Sequence, residues 1–293
     1  MKVIVIGKSG QLAWELARAS SDELEIICLG RNDISITNVD SLIGSLQKHS
    51  ACGVINASAY TAVDKAESDI DNAYKINAIA VENLAKASRT LSLPLVHIST
   101  DFVFHGEKGS PYLPGDEIKP LGVYGASKAE GEKLITEIYP ENSCIIRTSW
   151  VYSTHGKNFV KTMLNLMSTK NELGIICDQI GSPTFARGLA EASLLSLKNN
   201  VKGIYHYTDL GVASWYDFAL SIQSIGIELG LLSKRIPIKP INTSEYPTPA
   251  KRPHYSVLDK NSFAIALPDL KMRHWQEQLR TMMVSLKEET NQS

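Results

Sequence analysis

The sequence predicts an α/β fold: a doubly wound parallel sheet with a smaller, partly discontinuous α/β second lobe. Three features predict it. Short apolar runs alternate with longer helical patterns, the runs are apolar throughout rather than on alternate residues, and a glycine-rich turn follows the first run directly. Strands are expected at residues 3–6, 24–29, 53–56, 93–99 and 143–148, with helices at 11–20, 39–49, 72–91 and 124–138. Right-handed crossovers between parallel strands then place helices on both faces of the sheet. After Trp150 the rhythm loosens. A helix at 158–167, a strand at 173–177, a helix at 185–197, a strand at 203–207, a helix at 214–229 and a strand at 236–241 are expected. Residues 242–254 carry Pro247, Pro249 and Pro253 and cannot form a regular helix. The polar tail at 288–293 is expected to fray.

Composition narrows the function. Among 293 residues, 30 Lys and Arg face 31 Asp and Glu, a formal net charge of −1 that excludes a nucleic-acid binder working through a basic field. No apolar run reaches the roughly 18 residues of a membrane span. The apolar N-terminal run is too short for a signal peptide and reads as a buried strand. Cys28, Cys52, Cys144 and Cys177 form no CxxC pair and read as packed free thiols, which fits a cytoplasmic location and gives no metal site.

The turn Gly7-Lys8-Ser9-Gly10-Gln11-Leu12-Ala13 links the first strand to the first helix with the spacing GxxGxxA. Gly7 permits the tight turn, Gly10 lets the backbone approach a pyrophosphate, and Ala13 lets the helix pack close to the sheet. The helix N-terminus offers free N–H groups to the phosphates. The turn reads as a Rossmann-type dinucleotide site, with a merely structural strand–helix turn as the plain alternative, so residues 1–150, with 171–200, are expected to form the NAD(P)-binding domain. Residues 151–170 and 201–293 are left for a substrate-binding lobe. After the second strand, Arg31 would pair with the 2′-phosphate of NADP, whereas Asp33 would hydrogen-bond a ribose hydroxyl. The balance favours NADPH over NADH. An exposed turn arginine is the plain alternative.

Tyr124-Gly125-Ala126-Ser127-Lys128 places a phenol and an ammonium one helical turn apart on the same face. The cation is expected to lower the Tyr124 pKa, making the phenol a proton donor to a carbonyl oxygen, while Lys128 binds the nicotinamide ribose. Ser99-Thr100-Asp101 follows the fourth apolar strand, where open α/β sheets place ligands. Thr100 would orient the same carbonyl.

These motifs resemble those of the extended short-chain dehydrogenases/reductases, and within them the dTDP-4-dehydrorhamnose reductase family. GKSGQLAWEL (7–16), NASAYTAVDKAE (56–67), INA (76–78), STDFVF (99–104), YGASKAEGE (124–132), RTSWVY (147–152), DQIGSPT (178–184) and YPTPAKRPHYSVLD (246–259) carry the resemblance over almost the whole chain. TAVDKAE, DQIGSPT and YPTPAKRP are the restricted ones. The resemblance implies a catalytic set of Thr100, Tyr124 and Lys128. Gly10, Gln11 and Leu12 would line the cofactor pyrophosphate, and Ala59, Tyr60 and Thr61 would lie along the cofactor. Asp101 and Trp150 would contact the sugar, and Arg252 the substrate diphosphate. The plain alternatives are core packing for Trp150 and a solvated loop for Arg252.

The implied reaction is reduction of the 4-keto group of dTDP-4-dehydro-β-L-rhamnose by NAD(P)H, in dTDP-rhamnose biosynthesis. Two departures from the family pattern stand out. Ser35-Ile36-Thr37 replaces a D-I-T-like segment, which weakens NAD specificity. Some members dimerise around Mg²⁺ held by glutamates. Glu15 fits one such position, but Arg187 stands where another Glu is expected, against that metal and that dimer. A monomer or homodimer is expected. The rival functions are a reductase or epimerase for another nucleotide sugar, and a non-catalytic regulatory subunit resembling that of methionine adenosyltransferase.

Overall fold

The computed structural model describes residues 1–291. In chain order, β1 (Lys2–Ile6), α1 (Gln11–Arg18), β2 (Glu25–Leu29), α2 (Val39–Lys48) and β3 (Gly53–Asn56) make the first winding. Next come α3 (Val63–Ala66), α4 (Ile70–Tyr74), a π-helical turn over Lys75–Ile79, α5 (Ala80–Thr90), β4 (Leu95–Thr100), α6 (Val123–Ile138) and β5 (Ser143–Thr148). Beyond it lie β6 (Val151–Tyr152), α7 (Phe159–Thr169), β7 (Leu173–Ile176), β8 (Ile180–Gly181), β9 (Thr184–Phe185), α8 (Ala186–Lys198) and β10 (Gly203–His206). The chain ends with β11 (Ala213–Ser214), α9 (Trp215–Glu228), β12 (Ile238–Ile241), α10 (Asn261–Ala266) and α11 (Trp275–Asn291).

Six strands form one parallel sheet in the order β10-β5-β4-β3-β1-β2. The winding direction reverses beside β1, so the ends of β1, β3 and β4 open into one crevice. The two-residue period of β1 divides its side chains cleanly. Val3 and Val5 join Leu12, Leu16 and Leu189 under α1 and α8. Ile4 and Ile6 join Leu42, Leu46, Leu84 and Ile135 under α2, α5 and α6. Both faces are therefore covered, which is why these strands read as unbroken apolar runs.

A separate core joins α7, α9 and α11 through Val160, Met163, Phe218, Ile222, Leu279, Met282 and Met283. β7 pairs with β12 beside it. Ser214 starts α9 with a reciprocal Ser214–Asp217 capping box.

Several sequence expectations change. The helix expected at 72–91 is broken by the π turn. The strand at Gly203–His206, placed by sequence in the second lobe, is an edge of the main sheet because it pairs with β5. Helix α11 was not foreseen. It holds Glu288–Asn291 in regular structure, where Glu289 accepts from Thr154 Oγ1 and pairs with Arg18. Gln292 and Ser293, the rest of the expected frayed tail, lie outside the described residues. Among the described residues no helix is long and apolar enough to cross a membrane. All four cysteines are free.

Helix α6 is seated unusually close to its neighbours. A Cβ on Gly125 would run into the Phe102 carbonyl oxygen, and one on Gly131 into that of Asn77. Glycine inside a helix normally costs about 0.5–1 kcal/mol relative to Ala. Here the sign reverses: Gly125→Ala should destabilise by about 1–3 kcal/mol, the usual cost of overpacking. Chemical denaturation checks this, and a variant as stable as the parent would show that the backbone can retreat.

Candidate active site

A cleft of about 470 Å³ runs along the carboxyl ends of β1, β3 and β4. At one end stands the glycine turn. Gly7 has φ +117°, and a Cβ there would lie 3.2 Å from the Ala57 and Ser58 backbone, so the position needs glycine. Gly10 caps α1 without a side-chain bond, and nothing stands within 4 Å of where its Cβ would be. The first intrahelical bond runs from Trp14 N–H to Gly10 O, which leaves the N–H groups of Gln11, Leu12 and Ala13 at the helix mouth. Gln11 also braces the cleft wall, donating to Val151 O at 3.3 Å and accepting from Asn158 at 2.9 Å. Ala59 and Thr61, at the end of β3, line the middle.

At the other end Thr100, Asp101, Tyr124, Lys128 and Trp150 come together. Thr100 ends β4, so register with β3 and β5 fixes it. Its hydroxyl donates to Asp101 Oδ1 at 3.0 Å and accepts from Phe102 N–H at 3.2 Å. Burial pushes the Asp101 carboxyl up to about 6, against hydrogen bonds from Ser256 and Thr100 that favour its charged form. Tyr124 keeps some surface on the cleft, but its phenol sits among buried groups. Burial pushes it up to about 12, and the Asp101 charge adds to this, while the nearby Thr100 hydroxyl pulls the other way.

The expected lowering of the Tyr124 pKa by Lys128 is therefore not what the structure shows. Lys128 Nζ is turned to Ile98 O at 2.7 Å and to His97 Nε2 at 3.0 Å. Its own burial draws it down to about 8.

Trp150 combines both of its alternatives. It lies flat on Trp215, with ring centroids 3.6 Å apart, and it also lines the cleft. Its φ of +48° is a strained conformation for a bulky residue, of the kind that clusters at ligand sites. Gly181 makes room for the ring, since a Cβ there would come within 2.8 Å of it.

Four predicted residues are not part of the cleft lining: Gly7, which shapes the turn from behind, and Tyr60, Arg252 and Arg31. Tyr60 turns its phenol to Asp69 at 2.9 Å, while Asn77 holds its backbone at both N and O. Arg252 is committed to Asp64 at 2.7 Å and to Thr248 and Ala250 O. Arg31 is exposed on the turn after β2 and has no ion pair among the described residues. Its rival Asp33 is occupied, accepting from Gly30 N–H at 2.8 Å and from Lys8 Nζ at 3.2 Å.

Sequence reasoning missed Lys157, which lines the cleft from the loop after β6, and Lys8 beside Asp33. A Gly-Lys pair following a short apolar strand was the available signal for Lys157. It also missed Asn56, Asn77 and His97, whose partners come from distant segments.

The residues around Glu15 do not fit Mg²⁺. The buried Glu15 carboxylate accepts from Ser153 Oγ at 2.7 Å and faces the Arg187 guanidinium at 3.5 Å. A cation on the protein stands where a further oxygen ligand would be needed. Among the described residues no group of three or more His, Cys, Asp or Glu is placed to hold a metal.

A parallel sheet wound on both faces, an uncapped helix mouth after β1, and Tyr and Lys one turn apart beside Thr100 together define an extended short-chain dehydrogenase/reductase, an oxidoreductase class. Residues 1–288 match the family model described as RmlD substrate binding domain. The chain is 42% identical over 281 residues to the spore coat polysaccharide biosynthesis protein SpsK of Bacillus subtilis, covering 95% of each. It is 39% identical over 297 residues to a dTDP-4-dehydrorhamnose reductase of Sinorhizobium fredii, covering 98% of each. The solved structure of a Bacillus anthracis dTDP-4-dehydrorhamnose reductase in complex with NADP superposes with a TM-score of 0.91 at 34% identity, covering 97% of this chain and 99% of that one. The chain belongs to the dTDP-4-dehydrorhamnose reductase family.

Proposed function

We propose that this chain reduces the 4-keto group of dTDP-4-dehydro-β-L-rhamnose to give dTDP-L-rhamnose, with NADPH as its preferred reductant. The observation that carries the proposal is the meeting of Thr100, Tyr124 and Lys128 at one end of a cleft whose other end is the open N-terminus of α1. The nicotinamide, when bound, supplies hydride to C4. Tyr124 then gives its proton to the C4 oxygen. A phenol held up to about 12 is fully protonated at neutral pH and so is always loaded for that transfer. Thr100 orients the carbonyl, which requires its hydroxyl to leave Asp101. Lys128 positions the ribose.

Asp33 is already engaged with Gly30 and Lys8, so the turn presents Arg31 to the adenosine end, a cation suited to a 2′-phosphate. Asp101 and Trp150 face the sugar, and Lys157 is better placed than Arg252 for a diphosphate. We assign the cofactor to the body made of residues 1–150, α8 and β10, and the sugar to the lobe built on α7, α9 and α11. Four free thiols fit a cytoplasmic site of action.

The test is one coupled assay with dTDP-4-dehydrorhamnose, run with NADPH and with NADH, each with and without EDTA. One NADPH oxidised per product, a lower rate with NADH, and no effect of EDTA are expected. Epimerisation without net NADPH consumption, or a stoichiometric protein partner with no turnover, would replace this function by one of its rivals.

A further inference from the structure

Glu67 ends the TAVDKAE segment, one of the restricted motifs, and the proposed reaction leaves it without a task. Its side chain is half-buried, and Oε1 accepts from Val123 N–H at 2.9 Å. Val123 is the first residue of α6, and Tyr124 is the second. The first bond within α6 runs from Ala126 N–H to Gly122 O, so the N–H groups of Val123, Tyr124 and Gly125 have no partner inside the helix. A side chain at the N-cap normally supplies one. Here the N-cap is Gly122, which has no side chain, and the acceptor comes from 56 residues away. Gly122 is what admits it. A Cβ there would stand 2.5 Å from Glu67 Oε1, and its three nearest neighbours would all be atoms of Glu67.

The carboxylate is presented by a strap that is itself tied down on both sides. Tyr60 is bound at its backbone N and O by Asn77 of the π turn, and its phenol donates to Asp69 at 2.9 Å. Asp64 accepts from Arg252 at 2.7 Å and from Ala250 N–H at 3.2 Å. Ala66, next to Glu67, is fully buried. Glu67 therefore reaches α6 from a fixed frame. The first turn of a helix is where it frays, and the phenol rides on that turn. The turn has no acidic residue of its own, so Glu67 also supplies the negative charge that the positive end of a helix favours. Lys128, one turn further in, is held separately by its bond to Ile98 O.

We propose that Glu67 is a positioning residue that sets the Tyr124 phenol by capping α6 from outside the helix. The inference rests on the assignment of Tyr124 as the acid. Thr61 and Val63 of the same strap line the cleft but Glu67 does not, so it acts through the backbone of the turn. A shift of about 1 Å at a reacting group can cost about 100-fold in rate. Loss of the cap therefore falls on the chemical step, lowering kcat and kcat/KM together and leaving KM unchanged.

The test compares Glu67→Gln, Glu67→Ala and the pair Glu67→Ala with Gly122→Ser, each in the full chain. Glutamine keeps an oxygen for Val123 N–H, so its kcat should stay within about threefold of the wild type. Glu67→Ala should lose about 10–100-fold in kcat, with KM and the Kd for NADPH within about twofold. In the double variant the new hydroxyl caps α6 in the space Glu67 leaves. Its melting temperature should return to that of the wild type, but the tie to the strap is gone and kcat should stay low. Amide exchange of the ligand-free chain reads the helix start directly: Val123 N–H should exchange about tenfold faster in Glu67→Ala, and as in the wild type in Glu67→Gln. Recovery of kcat in the double variant would make Glu67 an ordinary cap and overturn the proposal. Wild-type kcat in Glu67→Ala, or a glutamine variant as slow as the alanine one, overturns it too. Should Glu67→Ala fail to fold, Glu67→Asp, whose carboxylate falls short of Val123, carries the same expectation. Exchange needs no substrate, so the two readings fail separately. A wild type that does not oxidise NADPH sinks the proposed reaction, whereas an unmoved Val123 exchange sinks the role of Glu67.

Discussion

Tyr124→Phe is expected to bind NADPH as the wild type does and to lose about 10²–10⁴-fold in kcat. The ring is retained, and with it the edge-on contact to Phe102 at 5.4 Å, so the cleft keeps its shape. Only the proton is lost. Without it, hydride arrival would leave an alkoxide in a site where buried groups already resist charge, as the raised pKa of Asp101 shows. Thr100 is a poor substitute, because its hydroxyl is tied to Asp101 and Phe102 and is far too weak an acid. Fluorescence titration with NADPH, followed by single-turnover kinetics, separates binding from chemistry. A loss of less than about tenfold would remove Tyr124 from the role of acid.

The largest effect on stability is expected at Glu132. Its carboxylate meets Arg147 in a fork, with Nε at 2.9 Å from Oε1 and an NH₂ group at 2.7 Å from Oε2. Both side chains are about 1–2% exposed. The guanidinium also donates to Pro114 O at 2.9 Å and lies over the Phe104 ring at 5.0 Å. The pair thus joins α6 to β5 and to the segment that precedes α6. Glu132→Ala would strand a buried arginine, at a cost of about 3–5 kcal/mol. At about 2–4 °C per kcal/mol for chains of this size, the melting temperature should fall by roughly 10 °C. Replacing both partners together, as Glu132→Met with Arg147→Met, should recover much of the loss, because no charge is left unpaired. A single variant that melts within about 1 kcal/mol of the wild type would show that the arginine finds another partner.

The sheet was largely legible in the sequence because β1, β3, β4 and β5 are buried on both faces and so appear as continuous apolar runs. Thr100, Tyr124 and Lys128 were legible because a strand end and a one-turn spacing place them without knowledge of the rest of the chain. Helix α11 was missed although Trp275, Leu279, Met282 and Met283 repeat at helical spacing, since charged residues between them dilute the pattern. The buried His97 chain was hidden for a different reason. Asn56 and His97 are opposite one another only because β3 and β4 pair in that register. Arg252 shows the same limit. The family resemblance assigned it to the substrate diphosphate, but its partner Asp64 lies 188 residues away, and proximity of that kind is created only by folding.

The π turn at Lys75–Ile79 carries a meaning for how this chain tolerates change. Asn77 sits at its centre, accepting from Tyr60 N–H at 2.8 Å and donating to Tyr60 O at 3.1 Å and to Ser127 Oγ at 3.0 Å. Ser127 in turn donates to the carbonyl of Tyr124. One side chain therefore keys the loop after β3 to the turn of α6 that bears the phenol. Each residue in an α-helix advances the rotation by about 100°. The wide turn absorbs such an advance, so that Asn77 can face the site while Val81, Leu84 and Ala85 still face the sheet. It behaves as a phase adjuster between two gears. An insertion or deletion here would leave either the core or the key out of step, and outside Asn77 this short stretch should accept substitutions in side chain far more readily than changes in length.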